Sequence, residues 1–537
     1  MSEWLENHDW GPILNEKSTN KKAESLQNIL VVKFNEYFPE KKKVISSDDQ
    51  PFVTQKLKSL KRRKGREYHK HRKSQKWVDL EEKYQKELTE AKSTYYKIRI
   101  KKNCVKLTKK KWYEALKKLT RYDQQKKEEI EVESIKEMSD EKQAELIADK
   151  FSEVSLEYDS LTTEGLVIPY FEEKDIPQFT VREVEDVLKE MDSKKSSVNG
   201  DIPAKIFKKF AVFLALPISD LINSSIREGI WPDICKLEIV TPVPKEYPPK
   251  EIDHLRNISG LLNLDKIAEK LITRLIISDM KYNLDPSQYA NQKGISIQHY
   301  LIKLIDRILL ALDKQESCAV IATLVDWKQA FSRQCPRLGI ESFIKNGVRP
   351  ALIPTLISYF QGRRMKVKWH GQMSTIRELK GGGPQGSSFG IWEYLSQSND
   401  NADSVPVEDR FKFVDDLSFI EIIYLLNVGL ASYNIRAHVS SDIPVHNQLI
   451  PKEHLASQEH LLSINKWTKA KKMKLNVKKT KNMVFNRSPN QFVTKLEVNS
   501  EEIETVKETV LLGTVITDSL TWDRNFEELI KKAYKRM

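Results

Sequence analysis

Phe411-Lys-Phe-Val-Asp415-Asp416-Leu-Ser-Phe-Ile420 sets two adjacent acids between two apolar flanks. Apolar flanks of this kind read as β-strands, so the segment is expected to form a hairpin with Asp415 and Asp416 at its tip. Taken alone, an Asp-Asp pair is most often an exposed turn. A second acid changes that weighting. Cys318-Ala-Val-Ile-Ala-Thr-Leu-Val325 is a continuous β-branched run of the kind that fills a buried central strand, and it stops at Asp326. A carboxylate in that place is costly unless it meets a cation.

Three carboxylates converging on a small volume repel one another unless divalent ions neutralise them. Hard oxygen ligands suit magnesium, with manganese as a substitute. Two such ions can activate a 3′-hydroxyl, stabilise a leaving pyrophosphate and hold an in-line geometry. Between the two acidic sites lies Lys380-Gly-Gly-Gly-Pro384-Gln-Gly-Ser-Ser-Phe-Gly390, with five of the chain's 18 glycines in ten residues. Such a backbone is suited to close approach. A flexible linker is the alternative, which Pro384-Gln385 in its middle opposes. The order matches neither GxxxxGK[ST] nor GxGxxG, so nucleotide hydrolysis through those loops is unsupported.

Charged residues make up 31% of the 537, against about 25% in ordinary globular chains, and the mean hydropathy is −0.53. The longest apolar stretch, 420–431, is interrupted by Glu421 and Asn427, which excludes a spanning helix. The N-terminal MSEWLENHDW has no secretory signal pattern, so an intracellular protein is expected. Cys104, Cys235, Cys318 and Cys335 are widely spaced and read as reduced residues outside any zinc site.

Lys and Arg number 89 against 76 Asp and Glu, a net charge of +13. Residues 56–121 alone carry 25 basic and 7 acidic residues, a surplus of 18, so the remainder is slightly acidic. This window holds Lys61, Arg62, Arg63, Lys64, Lys70, Arg72, Lys73, Lys109, Lys110 and Lys111, with interleaved Tyr and Trp and little Gly or Pro. It reads as long helices. Their surface is either a solvated face or a phosphate-binding one, where counterion release favours association and rings stack on bases. The Lys61–Lys64 cluster also permits nuclear import.

Residues 1–55 contain an amphipathic stretch from Leu26 to Phe38, and residues 126–160 read as a charged linker with helix. From Phe179 onward Thr180 signals a helix cap, an apolar helix pair follows with a break at Pro217, and strand-like 237–243 precedes a helix over 264–280. The expected domains are 1–55, the basic region 56–160, and a catalytic domain over 180–525.

Five pieces now stand in order: the Asp326 strand with Ala330-Phe331, Gly383-Pro384-Gln385-Gly386-Ser387, Phe413-Val414-Asp415-Asp416, Leu475 to Lys481, and Leu512-Gly513. Together they resemble the reverse transcriptase domain of LINE-type (non-LTR) retrotransposons. Pro242-Val-Pro-Lys245, Leu255-Arg256-Asn-Ile-Ser259 and Ser287 to Gly294 look like its upstream blocks, and the basic region is similar to the linker preceding the polymerase in such elements. The resemblance implies an α+β right-hand polymerase with fingers, palm and partial thumb, behind an N-terminal α-helical basic extension. It implies that Asp326, Asp415 and Asp416 hold two magnesium ions and that Lys245 and Arg256 contact the triphosphate, for which a bidentate Arg is suited. Phe331 would act as a steric gate against the 2′-hydroxyl, Gln385 would pack on the nucleotide, and Lys479 would stand where a general acid for pyrophosphate stands. Apart from the family, Lys479 beside Thr480 and Lys481 reads as a solvated residue.

The implied partners are an RNA template, a DNA primer and deoxynucleoside triphosphates, without a membrane. The implied location is the nucleus, with a cytoplasmic ribonucleoprotein stage. Three departures stand out: Ser332 where the family often has Asp, Asn257 where it has Pro, and a polar block over 396–409. They leave open a decayed, non-enzymatic RNA-binding relic. An RNA-templated RNA polymerase also uses paired aspartates, but a bulky Phe331 argues against it. With no endonuclease domain ahead of the polymerase, the sequence reads as a fragment of an element.

Overall fold

The computed structural model describes residues 1–39, 52–104, 130–195, 197–198, 200–314, 317–424, 447–449, 455–486, 491–493 and 495–536. The chain divides into two compact units, Met1–Tyr37 with Glu131–Met537, and Phe38–Ile130. Residues 131–160, which the sequence reading joined to the basic helices, therefore lie in the larger unit.

The smaller unit is a helical hairpin of Gln55–His71 and Gln75–Cys104. Thr54 caps the first helix by accepting from the Leu57 amide at 3.2 Å. Arg72, at φ +53°, ends it. Leu57 and Leu80 are buried, and ion pairs Lys56–Glu87 and Lys64–Glu81 tie the two helices.

In the larger unit the strands begin, in chain order, with β1 (Leu237–Pro244), β2 (Leu255–Gly260), β3 (Ser317–Val325), β4 (Arg363–Trp369), β5 (Gln372–Met373), β6 (Arg377–Leu379), β7 (Arg410–Phe413), β8 (Asp416–Tyr424), β9 (Asn447–Leu449) and β10 (Lys481–Asn486). One sheet is ordered β2-β1-β4-β5, with β6 also on β4. A second five-stranded sheet is ordered Glu504–Thr505, β10, β3, β8, β7. Here β3 is central and antiparallel to both neighbours. Its odd positions, Ala319 and Ile321, join Leu417, Phe419 and the helix Ala456–Ala470 on one face. Its even positions, Val320 and Ala322, join Phe411, Ile420 and the helix Ile297–Asp313 on the other. Burial on both faces accounts for the unbroken apolar run.

A helical layer holds the largest core cluster, drawn from Val181–Glu190, Ala211–Glu228, Asn263–Met280 and Ile353–Phe360. Thr180 caps its helix in a reciprocal box with Glu183. The apolar helix pair is interrupted at Phe210, between Ala204–Lys209 and Ala211–Glu228, and not at Pro217. Pro217 lies inside the second helix and is buried there, so tertiary packing outweighs the lost amide bond. Cys235 and Cys335 are buried free thiols. Among the described residues, no helix is long and apolar enough to cross a membrane.

Candidate active site

The β7–β8 hairpin closes with Phe413 opposite Asp416, leaving Val414 and Asp415 as a two-residue turn. Asp415 is thus at the tip and Asp416 opens the second strand, a difference of one position from the expected pair at the tip. Val414 has φ +58°, costly for a β-branched residue, and its amide donates to Gln288 Oε1 at 3.1 Å. The segment around Gln288 runs beside β7, with Tyr289 N–H to Lys412 C=O at 2.8 Å and Lys412 N–H to Ser287 C=O at 2.9 Å. Lys412 and Asp285 pair at 2.5 Å with both side chains 2% exposed, fixing the hairpin base. Burial opposes the Asp285 charge, but Lys412 overrides it and holds the carboxyl below its ordinary range.

The ladder pairs Val325 with Leu417, so Asp326 and Asp416 follow at the same sheet end on neighbouring strands. Asp326 is held from the other side: its carbonyl accepts from the Asn476 amide at 2.8 Å, its Oδ2 from Asn476 Nδ2 at 2.8 Å, and its amide donates to Thr480 Oγ1 at 3.2 Å. Burial raises the Asp326 carboxyl, against the Asn476 bond and the Lys479 charge. Burial raises Asp415 too, helped by Asp326. Asp416 is pushed up to about 6 by burial and then by Asp415 and Asp326.

A cleft of about 270 Å³ gathers Lys245, Arg256, Asp326, Phe331, Gln385, Asp415 and Lys479 from six separate stretches of sequence. Asp416 stands beside this set and is not part of the cleft lining. Lys245 follows β1 and donates through Nζ to the Asp253 carbonyl at 2.8 Å; desolvation lowers its pKa, Asp253 opposes this, and Lys479 and Arg256 add to it. Arg256, on β2 opposite Val243, is exposed, and neither it nor Lys479 has an ion pair among the described residues. Phe331 begins a short turn, Phe331–Arg333, with its ring 5.2 Å from that of Tyr394.

Gln385 sits on the glycine loop, and its carbonyl accepts from the Ser259 amide of β2 at 2.8 Å. The loop is therefore a shaped turn. Gly382 has φ +82°, and a Cβ there would stand 3.0 Å from the Ser332 carbonyl oxygen, so only glycine fits. Behind the loop, Ser387 caps the helix Ser388–Gln397, and its hydroxyl donates to buried Glu269 Oε1 at 2.7 Å. Burial raises the Glu269 carboxyl against its bonds from Ser387 and Tyr359.

Several neighbours of the site carried no role in the sequence reading. Asn476 directly orients Asp326; its only signal was its place in the Leu475–Lys481 block. Lys150, from the helix Asp140–Glu153, lines the same cleft, and Asp253 lies beside Lys245. Nothing in the sequence joined Lys150 to the site, because the approach is purely tertiary.

In the smaller unit Lys61, Arg62, Arg63, Lys70, Arg72 and Lys73 are exposed. Lys64 pairs with Glu81 at 2.5 Å and stands 4.8 Å from the Tyr84 ring. Tyr68 and Trp77 pack on each other at 5.9 Å. Lys109, Lys110 and Lys111 lie outside the described residues.

Among the described residues, no three His, Cys, Asp or Glu side chains form a ready metal-binding group. The three aspartates nonetheless offer only hard oxygen donors, and each has its ionised form disfavoured by burial. Such a set has a physical need for cationic charge and suits magnesium or manganese.

No protein-family model matches the chain. It is 29% identical over 228 residues to the probable RNA-directed DNA polymerase from transposon X-element of Drosophila melanogaster, covering 42% of this chain and 25% of that protein. It is 23% identical over 376 residues to the RNA-directed DNA polymerase from mobile element jockey of Drosophila funebris, covering 69% and 38%. The Drosophila melanogaster jockey polymerase is 24% identical over 331 residues, covering 60% and 33%. The chain thus spans between 25% and 38% of the length of these curated relatives. These homologues are polymerases of non-LTR retrotransposons, in line with the resemblance carried by the motifs.

Proposed function

We propose that this chain is an RNA-directed DNA polymerase of a non-LTR retroelement, adding deoxynucleotides to a primer 3′-hydroxyl opposite an RNA template. The observation that carries it is the single cleft that brings Asp326 and Asp415 together with Lys245, Arg256, Phe331, Gln385 and Lys479. In this reading the β10-β3-β8-β7 sheet is the palm, the β2-β1-β4 sheet belongs to the fingers, and residues from about 490 begin a thumb.

Asp326, Asp415 and Asp416 would hold two magnesium ions. When bound, these supply charge neutralisation at the attacking oxygen and at the leaving pyrophosphate. Lys245 and Arg256 orient the triphosphate, Arg256 with a planar fork that has no ion pair among the described residues. Phe331 occupies the space a 2′-hydroxyl needs, Gln385 packs beside the nucleotide from a loop pinned to β2, and Lys479 is placed to give a proton to pyrophosphate. The exposed cations of the smaller unit bind RNA phosphates. The nucleus is the compartment such an activity requires, with a cytoplasmic ribonucleoprotein stage.

Primer extension on poly(rA)/oligo(dT) with magnesium, then manganese, tests this reading. Incorporation of dTTP that needs metal and template is the expected result. Tight RNA binding with no incorporation under either metal would replace it with the non-enzymatic relic suggested by Ser332 and Asn257.

A further inference from the structure

The helix Asp140–Glu153 leads into a short turn, Val154–Glu157, followed by Tyr158. All of these precede residue 180, where the polymerase-like motifs begin. The helix is fastened along the β4–β6 edge: Trp369 Nε1 donates to Gln143 at 2.8 Å, the Thr375 amide to Glu145 at 2.6 Å, and Arg377 to Asp149 at 2.8 Å. From this anchored base, three consecutive polar contacts reach three different walls of the cleft.

Ser155 is 3% exposed, and its Oγ accepts from the amides of Lys380 at 2.5 Å and Gly381 at 3.2 Å, at the entrance of the glycine loop. Glu157 accepts a two-pronged bond from Arg333, at 2.8 and 3.0 Å, and a further one from Lys474 at 3.2 Å. Tyr158 donates to the Arg333 carbonyl at 2.9 Å and, at 3.4 Å, to that of Lys472. Its ring fills the space beside Gly381, where a Cβ would lie 2.2 Å from Cδ2.

Each wall carries a site residue. Arg333 ends the turn that starts at Phe331, and the glycine loop presents Gln385. Lys474 pairs through its carbonyl with the Lys328 amide at 2.9 Å, next to the Asn476 that orients Asp326. The walls also touch one another: the Gly382 amide donates to the Gln334 carbonyl at 2.8 Å and that of Gly383 to the Phe331 carbonyl at 3.2 Å. The stretch 326–334 thus meets both other walls through its backbone, and Ser155, Glu157 and Tyr158 add side-chain ties to all three from a separate helix and turn.

We propose that Ser155, Glu157 and Tyr158 are positioning residues of the nucleotide cleft, a clasp that sets the Phe331 turn against the glycine loop and so governs sugar selectivity. The proposal rests on the polymerase reading. The clasp touches no substrate; it acts through Arg333 and the loop backbone. Bidentate carboxylate–guanidinium pairing fixes orientation as well as distance, so its loss loosens the fit of the sugar between the Phe331 turn and the loop.

The test uses the full chain with Glu157→Gln and Tyr158→Phe. Amide exchange of residues 331–334 and 380–383 should quicken by about 2- to 30-fold, the range of coupling through such networks. In primer extension, the preference for dGTP over rGTP should fall by a similar factor, with the KM for dGTP rising and kcat little changed. Unaltered exchange in both variants would overturn the clasp, and so would quickened exchange with an unaltered dGTP/rGTP ratio. If the wild-type chain extends no primer, the polymerase reading fails. The exchange measurement then still decides whether the clasp holds these segments, while the loss of the ratio overturns its role in selectivity.

Discussion

Asp415 lies at a hairpin tip facing the cleft, with its charged form already disfavoured by burial and by Asp326. Asp415→Asn should therefore leave the melting temperature at or above that of the wild type while primer extension falls by roughly a thousandfold, as loss of an anionic ligand from the proposed metal site requires. Unchanged extension would remove Asp415 from the catalytic set. In the proposed polymerase Phe331→Ala would open the space beside the sugar 2′ carbon, and rGTP incorporation should rise relative to dGTP; an unaltered ratio would place the gate elsewhere. Glu393 offers a separate check. It is fully buried beneath the glycine loop, neither carboxyl oxygen has a hydrogen-bond partner among the described residues, and burial pushes its pKa up from 4.5 to about 8. A carboxyl raised on folding binds more protons in the folded chain, so its contribution is fully present below pH 4.5 and is lost as pH rises through about 8. Glu393→Gln should flatten the decline of melting temperature across that window, and an unchanged slope would mean that Glu393 is ionised in the folded state.

At the scale of elements, the hairpin strands and the central strand β3 were readable because sheet burial writes itself into sequence with period two or as a solid apolar run. Thr180 announced its helix through a local cap. Pro217 misled because its cost is local while the packing that outweighs it comes from other helices. The glycine loop was readable as a shaped turn, but its support was not: Ser387 joins the helix Ser388–Gln397 to Glu269, 118 residues earlier in the chain. Ser387→Ala removes that cap and leaves a buried carboxylate short of a donor, a cost of about 1–3 kcal/mol. Urea unfolding should show it, and wild-type stability would mean that Tyr359 and the Ser388 amide satisfy Glu269 alone.

At the scale of the molecule, charge is divided unevenly, with the basic surplus in residues 56–121. RNA binding should weaken steeply with salt. Changing Lys61, Arg62, Arg63, Lys70 and Lys73 to Gln should lower the slope of log K against log salt by up to about 0.7–0.9 for each residue that meets a phosphate. Filter binding at several salt concentrations measures it, and equal slopes would make this surface a solvated face. Catalysis per bound complex should survive, since none of these residues belongs to the proposed catalytic set.

The sequence by itself determined the strand that ends at Asp326, the acidic hairpin, the turn-forming glycines and the concentration of positive charge. Each is a local pattern, set by periodicity, backbone conformation or composition within a few residues. Only the tertiary structure decided that Asp415 and not Asp416 is the tip residue, because strand register depends on the partner. It alone brought Lys150 to the cleft, set Asn476 on Asp326 and laid Ser155, Glu157 and Tyr158 across three loops. Ion pairs and hydrogen bonds between residues as far apart as Glu157 and Lys474 leave no periodic trace, since one side chain at one position suffices to make each of them.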